Sequence, residues 1–222
     1  MAAPAILDDL RERVQRLQSG PPTAPAWPVH EALSGLLTIR PGSVVGTDSS
    51  TLTSLLLAAP TQDGQWCVVV GSRDFGAEAA RELGVELARV LLVPDPGPHW
   101  LEVLAALVDT VPLVVLVDPP TVRAADAQRI VARMRQRSAA LVVRGDGWSR
   151  RTVEVGLRDV VWAGPERGRG RLRSRQATVQ VGRPGEPART RRLWLPDADL
   201  RVRPVELPRT VQQPLRLVEG VA

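Results

Sequence analysis

The sequence contains no lysine; all 29 of its basic residues are arginine. That absence excludes a lysine Schiff base and any lysine-dependent phosphate loop, wherever in the chain one is sought. Cysteine occurs once, as Cys67 inside the apolar run Trp66–Val70. An internal disulfide is therefore impossible, and the thiol reads as a buried strand residue in a reducing compartment. His30 and His99 complete the soft or borderline ligands, and their wide spacing excludes a zinc site. Neither histidine sits in a nucleophile motif, which removes Ser/His/Asp and Cys/His catalysis. No apolar run approaches the roughly 18 to 20 residues of a membrane span. The first residues, Met1–Asp9, are acidic where a secretory signal would be basic, so a cytoplasmic protein is expected.

What is present is enough for one substantial core: 222 residues, 44% of them hydrophobic. Charge is uneven. Residues 1–143 carry 12 arginines against 15 carboxylates and residues 144–222 carry 17 against 9, so the basic pole is the C-terminal third. Ile6–Gln18 sets Ile6, Leu7, Leu10, Val14 and Leu17 at helical spacing, with acids early and arginines late. An amphipathic helix within residues 1–19 follows, tethered by a proline-rich linker over residues 20–28. Its apolar stripe needs cover from its own domain, a second copy or a partner.

From Ser43 onward strands alternate with helices. Apolar runs predict strands at Ser43–Val45, Trp66–Val70, Val90–Val93, Leu113–Val117 and Ala140–Val143. Between them, helical periods run over Ser50–Ala59 (stopped by Pro60), Phe75–Leu83 (stopped by Gly84), Pro98–Asp109 and Arg123–Arg137. The alternation predicts an α/β domain with a largely parallel central sheet over residues 29–195. Thr152–Trp162 and Gln176–Val181 have period two with no helix between, which predicts antiparallel strands extending the sheet across residues 150–195, joined by a mobile basic loop. Residues 196–222 show no sustained period and read as a tail, disordered until bound. Trp66, Trp100 and Trp162 fit core positions; Trp27 and Trp194, flanked by prolines, suit packing a linker or anchoring a partner.

The stretch from Gly46 to Ser54, GTDSSTLTS, has the outline of a phosphate loop. A working loop reads Gly-x-x-x-x-Gly-Lys-[Ser/Thr], in which glycines admit the phosphates to backbone N–H groups, lysine neutralises them and the hydroxyl holds magnesium. Here Gly46 and Thr53 keep their places, while Thr51 replaces the second glycine and Leu52 replaces the lysine. One lost charge pair at about 4 Å and an effective dielectric near 20 forfeits on the order of 4 kcal/mol. Asp118 closes an apolar strand where a magnesium-holding aspartate would sit, or else merely ends that strand before Pro119-Pro120. The loop residues Gly46, Thr53 and Asp118 are expected to be vestigial, with no catalytic residue, cofactor or metal.

The run from Gly46 to Ser54 resembles, position by position, the RecA-type phosphate loop. Ala80-Arg-Glu-Leu-Gly-Val-Glu86 is likewise similar to RecA, and carrying that register back puts Ser72 where RecA has its catalytic glutamate. Within RecA-like proteins the sequence resembles the actinobacterial ImuA-prime family. The residues that carry this are Trp66–Gly71, Val93–Trp100, Gly168–Arg175 and Leu193–Pro196, and the match spans roughly residues 5 to 196. The resemblance implies a non-catalytic RecA-like scaffold for SOS-type mutagenic translesion synthesis. Its implied partners are a Y-family-like, ImuB-type polymerase subunit and, directly or indirectly, an error-prone C-family DNA polymerase. It further implies nucleoid association at damaged DNA and self-association through the N-terminal helix.

Two other readings remain open on the residues. Arg167, Arg169, Arg171, Arg173 and Arg175 occupy every second position and on an extended strand would face one side, able to track the phosphates of single-stranded or duplex DNA. The same run suits a solvated loop or the acidic surface of a partner, with Trp194 as an apolar anchor. An ATPase of unorthodox chemistry is the last reading, and the altered lysine, second-glycine and glutamate positions oppose it.

Overall fold

The computed structural model describes residues 26–164 and 172–206. Five strands, β1 (Val44–Thr47), β2 (Cys67–Val70), β3 (Val90–Val93), β4 (Leu113–Val117) and β5 (Ala140–Arg144), alternate with four helices, α1 (Ser50–Gln62), α2 (Ala77–Glu82), α3 (Trp100–Thr110) and α4 (Ala124–Gln136). Strands β6 (Val153–Ala163), β7 (Ser174–Gly182), β8 (Arg189–Trp194) and β9 (Arg203–Pro204) follow with no helix among them. All join one sheet in the order β3-β2-β4-β5-β1-β6-β7-β8-β9. Pairing is parallel from β3 through to β6 and antiparallel from β6 to β9. This is a RecA-like α/β fold, a largely parallel central sheet with antiparallel C-terminal strands.

The central strands are apolar at nearly every position because both faces are covered. On one face Cys67, Val69, Val115 and Val142 meet α1 and α2; on the other Val68, Val70, Val114 and Leu141 meet α3 and α4. Burial pushes the Cys67 thiol up to about 12, as befits a core atom with no reactive role. In α4, Ala127, Ile130 and Met134 point inward and the arginines point out. Arg133 Nε donates to Asp109 Oδ1 at 2.7 Å, which fastens α4 to α3.

The structure departs from the sequence reading at several elements. Helix α1 does not stop at Pro60 but runs on to Gln62, ending where Gly64 takes a φ of +79°. Proline lacks the N–H that would reach the Leu56 carbonyl, and the adjacent Thr61 hydroxyl donates to the carbonyls of Leu57 and Ala58 at 2.8 and 2.9 Å. Of the expected tail, residues 207–222 lie outside the described residues, and the first part is ordered. Residues 196–206 fold onto the sheet, with β9 paired to β8 and Asp197 buried. Strand β8 escapes a pattern search because Arg189, Arg191 and Arg192 interrupt the apolar period.

Tryptophan placement also differs. Trp66 and Trp162 are 43% and 49% exposed rather than core, their rings covered by Arg89 and Arg175 at 5.4 and 5.0 Å. Trp148 is the fully buried one. Trp27 does pack a linker: its backbone N–H donates to the Ile39 carbonyl at 2.9 Å and its ring is partly buried against the core. The segment after it, Ala32 to Ile39, buries Leu33, Leu36, Leu37 and Ile39. Its carbonyls are held by arginines of the antiparallel strands: Arg189 reaches Gly35 at 2.7 Å and Arg191 reaches Ala32 and Ser34 at 2.9 and 2.8 Å. Two arginines of the basic pole are therefore engaged within the fold. The helix expected over residues 1–19, with Leu10, Val14 and Leu17, and the arginines Arg167, Arg169 and Arg171 lie outside the described residues.

Candidate functional site

The turn from β1 into α1 and the C-terminal ends of β2, β4 and β5 line one edge of the sheet, where α/β folds place their ligands. Only Asp48 and Ser49 separate β1 from α1, so the helix begins before Thr51. Ser49 is the N-cap: its hydroxyl accepts the Leu52 N–H at 3.3 Å. Its carbonyl accepts both the Thr53 N–H at 2.9 Å and the Thr53 hydroxyl at 3.0 Å. The N–H groups of Leu52 and Thr53 and the Thr53 hydroxyl are thus engaged within the turn itself.

Each residue expected of a phosphate loop has another occupation. Leu52, in the lysine position, is 0% exposed in the core, so a cation there would point away from the cleft. Gly46 lies within β1, and a Cβ on it would come within 2.3 Å of both Arg151 Cδ and Glu154 Oε2. That glycine makes room for the Arg151–Glu154 ion pair, whose Nη1 and Oε1 are 3.2 Å apart, on the other side of the sheet. Asp118 ends β4 in a left-handed conformation, φ +45°, with its carboxylate 3.6 Å from Arg144 Nη2. An arginine in that place disfavours a magnesium ion. Ser72 is buried and donates to Asp74 Oδ1 at 3.2 Å, so it supplies no general base.

Arg175 completes the closure. From β7 its Nη2 donates to Thr51 Oγ1 at 2.8 Å and its Nε to the Leu195 carbonyl at 2.8 Å, while the guanidinium lies over Trp162. Burial lowers its pKa from the ordinary arginine value. The cleft between α1, Ser72, Asp74 and Arg144 is about 230 Å³, and a second, lined by Thr47, Asp48, Gly145 and Arg151, is about 430 Å³. Among the described residues no group of His, Cys, Asp and Glu side chains is arranged to hold a metal, and no helix is long and apolar enough to cross a membrane.

Two arginines of the row, Arg173 and Arg175, lie within the described residues. Arg173 is exposed, but Arg175 is turned into the fold. Trp194 is half-buried in β8, paired with Gln176 on one side and Arg203 on the other. Sequence reasoning missed the contacts of Arg175 with Thr51 and of Arg144 with Asp118. Arg144 was visible as the charge closing an apolar strand, yet nothing local indicated either partner.

A family model described as the MT3502 N-terminal domain matches residues 32–150. The chain is also similar to the uncharacterized Mycobacterium tuberculosis protein Rv3395c, with 33% identity over 144 residues, 64% of this chain and 71% of that protein.

Proposed function

The chain belongs to the MT3502 N-terminal domain family, and from that premise we propose that it is a non-catalytic, ImuA-prime-type scaffold of a mutagenic translesion-synthesis complex. The observation that carries this reading is the occupied phosphate-loop position: Leu52 in the core, Thr53 bonded to Ser49, and Arg175 on Thr51. A fold that turns its phosphate-loop residues to internal contacts while keeping the sheet and helices intact is suited to holding other proteins. A mycobacterial relative agrees with an actinobacterial origin for the ImuA-prime motifs in the sequence. The partners in this reading are a Y-family-like polymerase subunit and, through it or directly, an error-prone C-family polymerase.

The test is a deletion strain exposed to ultraviolet light. Loss of the gene should lower damage-induced mutation frequency, and the wild type and Asp118→Asn should restore it equally. Mg-dependent ATP hydrolysis by the purified chain, abolished by Asp118→Asn together with complementation, would replace the scaffold with an ATPase. Unchanged mutation frequency in the deletion strain would remove the translesion role itself.

A further inference from the structure

Among the described residues, the end of the β6–β7 pair is apolar and exposed. Burial alternates along β6 only as far as Val155, and from Arg158 to Ala163 every residue is exposed. A bulge between Arg158 and Val161, with Asp159 at φ +50°, marks the departure. The residues beyond it are strong strand formers, yet Val160, Val161 and Trp162 are 45%, 54% and 49% exposed, and Leu172 on the returning side is 53% exposed. Val161 pairs with Gln176 and Trp162 with Arg175, so consecutive side chains put apolar surface on both faces of the ribbon.

Apart from the Arg175 guanidinium over the Trp162 ring, neither core of the described residues extends under this end. The core under α3 and α4 contains no residue of β6 to β9, and the core under α1 follows β6 no farther than Leu157. An isolated two-stranded ribbon is marginally stable in water, and a contiguous apolar patch rimmed by polar groups marks an interaction site. Charge indicates the occupant. Arg158 and Arg173 are exposed beside the patch, against Asp159 alone. A second copy of the same hairpin would set like charges together, and a nucleic acid would satisfy the arginines while leaving the aliphatic Val160, Val161 and Leu172 without apolar cover.

We infer that this hairpin end docks a partner protein through an apolar groove edged with aspartate and glutamate; the inference rests on the scaffold reading, in which that partner is the Y-family-like subunit. The full-length chain would be titrated calorimetrically with the purified subunit from the same source, as wild type, Val161→Asp, Leu172→Asp and Arg173→Glu. A labelled single-stranded oligonucleotide serves as the second probe. Each aspartate substitution should weaken subunit binding by about tenfold or more with unchanged thermal unfolding, as expected at an interface anchor. Arg173→Glu, outside any packing, should weaken it and reduce its salt dependence. Equal binding by all variants would overturn the hairpin inference and leave the scaffold intact. No binding by the wild type would overturn both. Variants that lose the oligonucleotide and keep the subunit would make the hairpin a nucleic-acid contact and overturn the protein-docking inference.

Discussion

Arg175 Nη2 donates to Thr51 Oγ1 across 2.8 Å, joining residues 124 positions apart in the chain. The bond ties the antiparallel extension to the first turn of α1 and places a guanidinium beside the turn where a phosphate loop would hold its ligand. Arg175→Met keeps the length of the side chain and removes its donors to Thr51 and Leu195. Hydrogen bonds from a charged group contribute about 1.5–3 kcal/mol. A loss of about 2 kcal/mol in urea unfolding is expected, and a change indistinguishable from zero would show that the strut carries no stability.

Rebuilding the loop should not rebuild a nucleotide site. Thr51→Gly with Leu52→Lys restores the consensus in sequence, but Leu52 faces the core and the introduced ammonium would be buried without a partner. An uncompensated buried charge costs on the order of 3–5 kcal/mol. The expected outcome is a lowered Tm and no Mg-ATP binding by calorimetry; a stable, ATP-binding variant would refute the description of this turn.

His30 should make the chain less stable as pH falls through the histidine range. Its Nδ1 accepts the Ala32 N–H at 3.2 Å, which requires the neutral ring, and burial lowers its pKa, partly opposed by Glu31. A base whose folded pKa lies below its unfolded one takes up protons first in the unfolded state. Stability is therefore full above about pH 6.5 and declines below it until the folded ring also protonates. His30→Asn, an uncharged cap, should flatten that part of the stability profile. An unaltered slope would assign it to other groups.

Asp197 should govern a second, more acidic window. Its carboxylate is held below the usual carboxylate range, chiefly by Arg203 Nε at 2.5 Å and then by the N–H groups of Arg201 and Asp199, each at 2.9 Å. Its contribution is present above the unfolded carboxylate pKa of roughly 4 and is lost as pH falls through the lowered folded value. Asp197→Asn should remove this acid dependence and release β9, seen as faster amide exchange at Val205, whose N–H donates to Arg192. Unchanged exchange would mean that β9 is held without it.

The α/β core was legible because its apolar runs and helical periods are local: the limits read for Leu113–Val117 and Val90–Val93 agree with β4 and β3. Absence was equally legible, since a chain without lysine cannot hold a lysine-dependent phosphate loop in any fold. What composition could not reveal is where the arginines go, because a guanidinium on a long stem finds partners across the fold rather than along the chain. Only the tertiary structure set Arg189 and Arg191 on carbonyls of the Ala32–Gly35 segment, Arg151 over Gly46, and Arg175 on Thr51. The letters of GTDSSTLTS determined that the nucleotide's cation was gone; the pairing of β7 beside β6 and β8 decided what stands in its place.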